Sequence, residues 1–480
     1  MQNKIGILGF GVVGKSAFKF FQNKKTKDEF IIDVWDQKIL DTDSQKLLTD
    51  KMVQIFDSTV HPLETFIQSH DYIIASPGVN LSDFYAYKDK FVCELDLFAD
   101  NFKKPTIAIT GSLGKTTTTK LLGKLTGQMS KYPNSAWVFG EKHKVNPFIG
   151  GNVGVGMLEV DENHEGFDLG VLEISSFQLE FSKYFAPHIA ILTNCYPNHL
   201  DRHKTMKNYI QSKFNLMRYQ SADQFAVISE QVLCNEIVDF LTEELQSFKS
   251  QICFTFTKKP DFQMLKSLKI NIDKIFYKNE NQLVCFDLKT GIEQVLFDLS
   301  FLPEVTFIEN WIQVITTLYL LNADMISLLQ YFKQNNNEFE VDDHHHRVEY
   351  FATIEGVDFY DDSKATVIQS TIAATKMLAE KGPVILILGG LGKGVDRSPI
   401  CQELAKISKL KKVFCFGPEC AEFSSIACKL DSLEDIVLNI KQIMQPGDQV
   451  VLSPSGTSFD FYKNYKERGQ IFKNLVTKSY

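Results

Sequence analysis

Residues 106–119 place an apolar run, two glycines and a lysine–threonine pair in an order that suits phosphate binding. The sequence is TIAITGSLGKTTTT, in which a β-type run stops at Gly111 and a helix-like stretch begins near Lys115. Glycines let the backbone N–H groups of such a loop turn inward, and the helix N-terminus adds partial positive charge. Lys115 is therefore predicted to reach the terminal phosphates of a nucleoside triphosphate, with the Thr116 hydroxyl on Mg²⁺.

This segment, residues 111–115, is called the phosphate loop below. It is a shortened form of the eight-residue motif, which has a glycine where Ile109 stands. The alternative is a glycine-rich turn that binds nothing, and the adjacent lysine and threonine disfavour it. The residues predicted to hold the triphosphate here are Gly111, Ser112, Gly114, Lys115, Thr116 and Thr117.

Polar residues also follow two further predicted strands in the centre of the chain. Glu173 ends the run DLGVLE, and Asn194 and His199 follow the run HIAIL. Carboxylate and imidazole groups beside a phosphate loop are candidate Mg²⁺ ligands, although imidazole is the less usual one. For Glu173 the alternative is a helix-capping or salt-bridged carboxylate. Lys213 lies among apolar residues of the helix-like run KNYIQSKFNLM, and the default for it is a surface lysine with a buried stem.

The N-terminal segment carries a second glycine-rich loop, GFGVVG, directly after an apolar strand. A second strand ends near Asp36, and a third leads into a Ser-Pro-Gly turn. This pattern predicts a diphosphate on a helix N-terminus and fits either a nicotinamide dinucleotide or a UDP group. For the Ser-Pro-Gly sequence a plain turn is the alternative. The candidate contacts are Gly9, Phe10, Gly11, Asp36, Gln37, Ser76, Pro77 and Gly78.

The last third of the chain repeats the alternation of strands with polar loops and helices. Its loops are DDSKAT, LGGLGKGVD and LSPSGTSFD, whose lysines and hydroxyls suit an anionic ligand. GGLGKG lacks a Ser or Thr after its lysine, so a carboxylate- or phosphate-binding Lys393 is preferred to a second nucleotide site. Histidines 344–346 are too close together for a usual chelate and are expected in a solvated loop. Alternating strands and helices predict an α/β fold with mainly parallel sheets, and two hairpins are predicted in residues 274–299.

Composition limits the remaining possibilities. The chain has 480 residues, 44% hydrophobic and 23% charged, which predicts a soluble globular protein of two to four domains. Its net charge of −8 and the lack of a long basic run argue against a nucleic-acid partner. No apolar run is long enough to span a membrane, and the N-terminus has no signal-peptide layout. The nine scattered cysteines form no CxxC pair and are expected to be reduced, so a cytoplasmic location is predicted.

In their order along the chain, these motifs resemble the Mur ligases, the ATP-dependent amide ligases of peptidoglycan synthesis. The resemblance covers GFGVVG, SPG, TGSLGKTT, GGNVG, LEISSFQLE, the residues around His199, HRVE, DDSKAT, LGGLGKGVD and LSPSGTSFDFYKNYKERGQIF. The C-terminal motifs are most similar to the member that joins D-glutamate to UDP-N-acetylmuramoyl-L-alanine. The resemblance implies a UDP-binding Rossmann-like domain (1–103), a P-loop ATPase-like central domain (104–343) and a Rossmann-like acceptor domain (344–480).

The resemblance also implies ATP, two Mg²⁺ ions and a monomer. Catalytic roles are implied for Lys115, His199, Lys213 and Lys364. Metal ligands are implied at Thr116, Glu173, His199 and a carbamylated Lys213. Arg347, Asp362 and Lys364 serve ATP, as does Asn310, the one survivor of an HNxxN-like segment. The implied contacts of the UDP-muramoyl substrate or reacting centre are Asn152, Ser175 and Gln178, and those of D-glutamate are Thr366, Lys393, Ser458 and Tyr465.

Three other functions compete with this interpretation. Folylpolyglutamate synthetase belongs to the same superfamily, but it lacks a UDP-type domain such as GFGVVG indicates. A nicotinamide-dependent oxidoreductase would explain GFGVVG alone and leave Lys115 and the C-terminal motifs unexplained. A non-catalytic nucleotide-binding regulator is disfavoured because Lys115, Glu173, His199 and Lys364 are all retained.

Overall fold

The computed structural model describes residues 3–24, 30–37, 40–50, 53–129, 145–152, 156–160, 166–233, 238–303, 306–335 and 345–479. The chain divides into two compact units. The first comprises Met1–Cys195 and Lys207–Glu340, and the second comprises Tyr196–Met206 and Val341–Tyr480. The predicted α/β class is confirmed, with two sheets in the first unit and one in the second.

The N-terminal sheet of the first unit is parallel, with the order β3-β2-β1-β4. Its strands are β1 (Asn3–Leu8), β2 (Phe30–Asp36), β3 (Gln54–Asp57) and β4 (Tyr72–Ala75). Its helices are α1 (Val12–Lys24), α2 (Thr42–Asp50), α3 (Leu63–Ser69) and α4 (Glu94–Asn101). This order places the ends of β1, β2 and β4 side by side at one edge, where ligands of open α/β sheets bind.

The central sheet of the first unit has nine strands in the order β13-β12-β11-β10-β9-β8-β5-β7-β6. The strands are β5 (Thr106–Thr110), β6 (Pro147–Gly151), β7 (Leu169–Glu173), β8 (Ile189–Leu192), β9 (Phe225–Ser229), β10 (Gln251–Phe256), β11 (Ile272–Asn279), β12 (Gln282–Asp287) and β13 (Glu293–Asp298). The helices of this region are α5 (Lys115–Met129), α6 (Ser176–Leu179), α7 (Leu200–His203), α8 (Met206–Arg218), α9 (Val238–Gln246), α10 (Phe262–Ser267), α11 (Ile308–Leu320) and α12 (Met325–Asn335). Of these, α7 belongs to the second unit.

Strand β5 and its neighbours β7 and β8 are buried along their whole length, as their unbroken apolar runs predict for parallel strands covered on both faces. Strands β11 to β13 instead pair antiparallel, and the two predicted hairpins are confirmed. The parallel part of the sheet therefore carries the strand ends that bear the predicted chemistry.

The sheet of the second unit has the order β14-β15-β19-β16-β17-β18. Its strands are β14 (Glu349–Ile354), β15 (Val357–Asp361), β16 (Val384–Leu388), β17 (Leu410–Cys415), β18 (Cys428–Lys429) and β19 (Gln449–Leu452). Its helices are α13 (Ile368–Lys381), α14 (Ile400–Ala405), α15 (Leu433–Ile443) and α16 (Tyr465–Ser479). Only β14 pairs antiparallel, and one buried apolar cluster lies on each face of the sheet.

The eight cysteines that the structure describes are free thiols, and all but Cys428 are buried, which agrees with the expected reduced core residues. Among the described residues, no helix is both long and apolar enough to cross a membrane. The domain boundaries near residues 103 and 343 stay a prediction.

Candidate functional site

The phosphate loop joins β5 to α5 and needs its two glycines for steric reasons. Gly111 has φ 149° and Gly114 has φ 80°, and residues other than glycine rarely adopt such positive φ values. A Cβ atom at Gly111 would lie 1.9 Å from the Thr193 hydroxyl, and one at Gly114 would lie 2.5 Å from Oδ1 of Asn310. The loop is therefore packed tightly against β8 and α11, and neither glycine can be replaced without displacing it.

Asn194, at the end of β8, fixes the outer part of the loop. Its Oδ1 accepts the N–H groups of Ser112 at 3.1 Å and Leu113 at 2.8 Å, and its Nδ2 donates to the Leu113 carbonyl at 3.1 Å. Those two N–H groups are engaged within the protein. Further donors are available in the first turn of α5, where helix N–H groups have no intrahelical partner. Sequence analysis missed this role, because Asn194 lies 81 residues from Leu113.

Two lysines donate to the same carbonyl of the phosphate loop. Lys115 Nζ lies 2.8 Å from the Gly111 oxygen, and Lys213 Nζ lies 3.0 Å from it. Lys213 is only 1% exposed and lies 4.5 Å from the centre of the Tyr209 ring, so the default of a surface lysine is wrong. Burial, and secondly the charge of Lys115, lower the pKa of Lys213 to about 7.

We expect Lys213→Met to stabilise the protein against unfolding at pH 6 by about 2 kcal/mol. The reason is that methionine replaces a buried ammonium with an uncharged side chain of similar length. Between about pH 7 and 10.5 the unfolded lysine binds more protons than the folded one, so wild-type stability rises with pH and the advantage shrinks. Denaturant unfolding in bicarbonate-free buffer at pH 6 and 9 measures this. Lys207→Met, an exposed change on the same helix, is the control. An advantage that grows with pH would contradict the expectation.

Glu173 ends β7 beside the phosphate loop, paired in register with Ile109 of β5. Its carboxylate is 2% exposed, and its Oε1 accepts a hydrogen bond from Asn152 Nδ2 at 2.9 Å. Its Oε2 is buried without a hydrogen-bond partner among the described residues. A carboxylate oxygen without a partner next to the phosphate loop fits a hard cation such as Mg²⁺. The alternatives for Glu173, a helix cap or a salt bridge, are not found among the described residues.

Ser175 and Gln178 form the N-terminal cap of α6. The Ser175 side chain accepts the Gln178 N–H, and the Gln178 side chain accepts the Ser175 N–H, a complete capping box. Gln178 Nε2 also lies 3.3 Å from Glu94, whose pKa is raised to about 7 by burial. The predicted substrate contacts at these two positions therefore have a local structural role, and their substrate role stays a prediction.

The N-terminal loop brings several predicted UDP contacts together. The Phe10 N–H donates to Asp36 Oδ2 at 2.6 Å, and the Ser76 hydroxyl donates to the Gly9 carbonyl at 2.8 Å. Gly9 has φ 78°, and a Cβ at Gly14 would lie 2.0 Å from the Gly9 oxygen, so α1 can approach β1 only with glycine there. Four further predicted contacts lie at or near the surface of the same region: Gly11, Gln37, Pro77 and Gly78.

In the second unit, the loop after β15 carries Asp362 and Lys364. The Asp362 carboxylate accepts the Val348 N–H at 3.2 Å and the Ser453 hydroxyl at 2.6 Å. Burial raises the pKa of Asp362 to about 7, against the opposing charge of Arg347. Lys364 Nζ lies 5.3 Å from the centre of the Tyr465 ring. The structure thus brings four residues predicted to serve ATP or the acceptor into one region of the second unit.

Lys393 lies beside His199 in the second unit. Its Nζ donates to Asn198 Oδ1 at 3.2 Å and lies 3.5 Å from His199 Nε2. The Lys393 carbonyl accepts the Asp201 N–H at 3.1 Å, which ties the segment of residues 196–206 to the glycine-rich loop after β16. Two other predicted acceptor contacts, Ser458 and Thr366, are buried and half-buried respectively. Sequence reasoning did not anticipate that His199 groups with Lys393.

Comparison with known proteins agrees with this geometry. Residues 109–317 match the Mur ligase middle domain, and residues 346–456 match the Mur ligase glutamate ligase domain. The solved MurF structure from Acinetobacter baumannii superposes with a TM-score of 0.55 at 13% identity, covering 99% of this chain and 93% of that one. At that identity the likeness concerns the fold alone.

Two relatives are similar along almost their whole length. The UDP-N-acetylmuramoylalanine–D-glutamate ligase of Thermoanaerobacter pseudethanolicus is 31% identical over 497 residues, covering 99% of this chain and 98% of that protein. The enzyme of the same name from Geobacillus sp. is 29% identical over 490 residues, with the same coverage. The chain therefore belongs to the Mur ligase family. Within that family, both relatives carry the name of the ligase that acts on D-glutamate.

Proposed function

We propose that the chain is an ATP-dependent ligase that joins D-glutamate to UDP-N-acetylmuramoyl-L-alanine in peptidoglycan precursor synthesis. The observation that carries the proposal is the arrangement around the phosphate loop. Lys115 and buried Lys213 both donate to the Gly111 carbonyl, and Glu173 beside the loop has a buried oxygen without a partner among the described residues. Full-length similarity to two ligases of that name supports the choice of substrates. We further propose that it acts as a cytoplasmic monomer.

The reaction requires activation of a carboxylate, which is a poor electrophile toward an amine. The muramoyl-alanine carboxylate attacks the γ-phosphorus of ATP, which yields an acyl phosphate and ADP. The amine of D-glutamate then attacks the acyl carbon, so that the amide forms and inorganic phosphate and a proton leave. Both steps bring anions together, and the charge of Lys115 is assigned to the transferring phosphoryl group.

The residues around the phosphate loop fit Mg²⁺. In the first unit we assign Thr116, Glu173 and a carbamylated Lys213 to hold it, and we assign His199 of the second unit to a further ion. Bound Mg²⁺ supplies positive charge that neutralises the phosphate oxygens. Glu173 fits this role because one of its oxygens already binds Asn152 and the other is buried without a partner among the described residues.

The other assigned residues divide between substrates. The loop of Gly9, Phe10 and Gly11 with Asp36 and Ser76 is assigned to the UDP group, since this loop follows β1 at the edge where β1, β2 and β4 end. In the second unit, Arg347, Asp362 and Lys364 are assigned to ATP. The residues assigned to D-glutamate are Thr366, Lys393, Ser458 and Tyr465.

Phosphate release from ATP tests the proposal directly. We expect release that depends on both UDP-N-acetylmuramoyl-L-alanine and D-glutamate, with amide product in equal amount. Release with a folate substrate instead would favour the folylpolyglutamate alternative. Tight NADH binding without ATP turnover would favour an oxidoreductase.

The acceptor assignment predicts that Lys393→Ala raises the KM for D-glutamate at least ten-fold and that for ATP less than three-fold. The reason is that a charge-assisted hydrogen bond to a substrate carboxylate contributes roughly 1.5–3 kcal/mol. L-Glutamate should be a poor acceptor, because inversion moves the amine or a carboxylate off its partner. Lys412→Ala, a change at an exposed lysine of β17, is the control. Equal use of both enantiomers would contradict the proposed substrate.

A further inference from the structure

His346, Glu349 and Asp361 form a polar cluster between β14, β15 and α16 that has no part in the functions assigned so far. One ligand atom from each lies within 4.8 Å of the others, a spacing that would suit a metal ion. The ammonium of Lys473 already occupies that space, 2.7 Å from Glu349 Oε2 and 3.5 Å from Asp361 Oδ2. The cluster is therefore a closed internal ion network, and its function must lie in what it holds in place.

The fully buried Asp361 carboxylate is the centre of this network. Its Oδ2 lies 2.6 Å from His346 Nδ1, and its Oδ1 accepts the Ser363 N–H at 2.9 Å. Helix α16 packs so closely that a Cβ at Gly469 would lie 2.4 Å from both His346 Nδ1 and Asp361 Oδ2. His346 is therefore held from two sides, and the expectation that it lies in a solvated loop is wrong. His344 lies outside the described residues.

His346 in turn connects two short segments. Its carbonyl accepts the Lys364 N–H at 3.1 Å, and its own N–H donates to Glu349 Oε2 at 2.8 Å. Both His346 (φ 63°) and Val348 (φ 45°) have left-handed backbones, which is a strained conformation for a β-branched residue. Arg347 lies between them. A strained backbone persists only where its surroundings hold it, and the 2.6 Å contact between His346 and buried Asp361 is one such hold on this segment.

We propose that Asp361 and His346 are positioning residues that act as one unit to present Arg347 and Lys364 to the nucleotide. The proposal rests on the function proposed above, in which those two cations serve ATP. Asp361 fixes the imidazole, the imidazole fixes the strained backbone on either side of Arg347, and the His346 carbonyl fixes the backbone of Lys364. Neither Asp361 nor His346 touches substrate in this scheme.

A double-mutant cycle tests whether the pair acts as a unit. His346→Ala and Asp361→Asn should each weaken binding of a non-hydrolysable ATP analogue about ten-fold, as loss of one buried hydrogen bond implies. The double variant should lose no more than about twenty-fold in affinity for the analogue, because the second change removes a contact that the first has already broken. The KM for D-glutamate should stay within two-fold. Asp358→Asn on the same strand is the control and should leave analogue binding unchanged, alone or with His346→Ala.

Gly469→Ala provides a second probe that leaves both side chains in place. The added methyl would push His346 and Asp361 apart, so we expect the same ten-fold loss of analogue affinity. A purely structural role would lower the melting temperature and leave the ratio of analogue affinity to D-glutamate KM unchanged. That result, or a double variant weakened a hundred-fold, would overturn the proposal. Absence of analogue binding by the wild-type protein would overturn the proposed function as well.

Discussion

Lys115→Ala should abolish ligation while the protein stays folded. Lys115 is partly buried at the start of α5, and its Nζ lies within 3.3 Å of the Gly111 and Ser112 carbonyls, inside the phosphate loop. From there we expect it to move onto the transferring phosphoryl group. Loss of one preorganised charge at such a position costs roughly 3 kcal/mol or more, which is a hundred-fold or greater fall in kcat.

The measurement is ATP-dependent phosphate release at saturating substrates. Lys124→Ala, further along the same helix, is the matched control and should retain most of the activity. Thermal unfolding should place both variants close to the wild-type protein, because the Gly111 and Ser112 carbonyls that accept from Lys115 can also be hydrogen-bonded by water. Near-normal turnover by Lys115→Ala would contradict the assignment of residues 111–115 as the phosphate loop.

The features that sequence predicted well are those whose cause is local. The run TIAITGSLGKTT contains the buried strand, the two glycines with positive φ and the helix start within twelve residues. The turn sequences of the hairpins β11–β12 and β12–β13 are local in the same way. In each case a short segment restricts its own backbone, so no distant partner has to be known.

The features that sequence could not predict depend on distant partners. Asn194 binds the loop from another strand, so its role requires the strand order β8-β5-β7 rather than any pattern around residue 194. The partial burial of His346 follows from its contact with Asp361 and from the absence of a side chain at Gly469, more than 100 residues further on. The grouping of residues 196–206 with the second unit likewise has no signal in its own composition.

Lys213 is predicted from its local sequence to be a surface lysine, but its side chain is buried in the structure. This burial favours a chemical modification of the amine. An ordinary lysine is charged, and burial of an unpaired charge is unfavourable. Here the charge of a second cation, Lys115, lowers the pKa of Lys213 further. With a pKa of about 7, a large share of Lys213 is the neutral amine at physiological pH, and only that form attacks CO₂.

Carbamylation would resolve this conflict. The amine nitrogen bonds to the carbon of CO₂ and releases a proton, so a cation becomes an anion with two oxygens. That anion would pair with Lys115 and offer hard oxygen ligands for Mg²⁺. We therefore expect Lys213→Ala to lose at least a hundred-fold in kcat, comparable to loss of a transition-state charge.

Two measurements separate this role from simple packing. Acetate or formate at high concentration should restore part of the activity of Lys213→Ala, because a small carboxylate can enter the space left by the side chain. Protein equilibrated with ¹³C-bicarbonate should show a carbamate signal that is absent from Lys213→Ala and present in the control Lys207→Ala. The carbamate signal should weaken below pH 7, because the Lys213 amine is then protonated and its nitrogen has no lone pair with which to attack CO₂. Normal activity of Lys213→Ala, together with no such signal in the wild-type protein, would reject the modification.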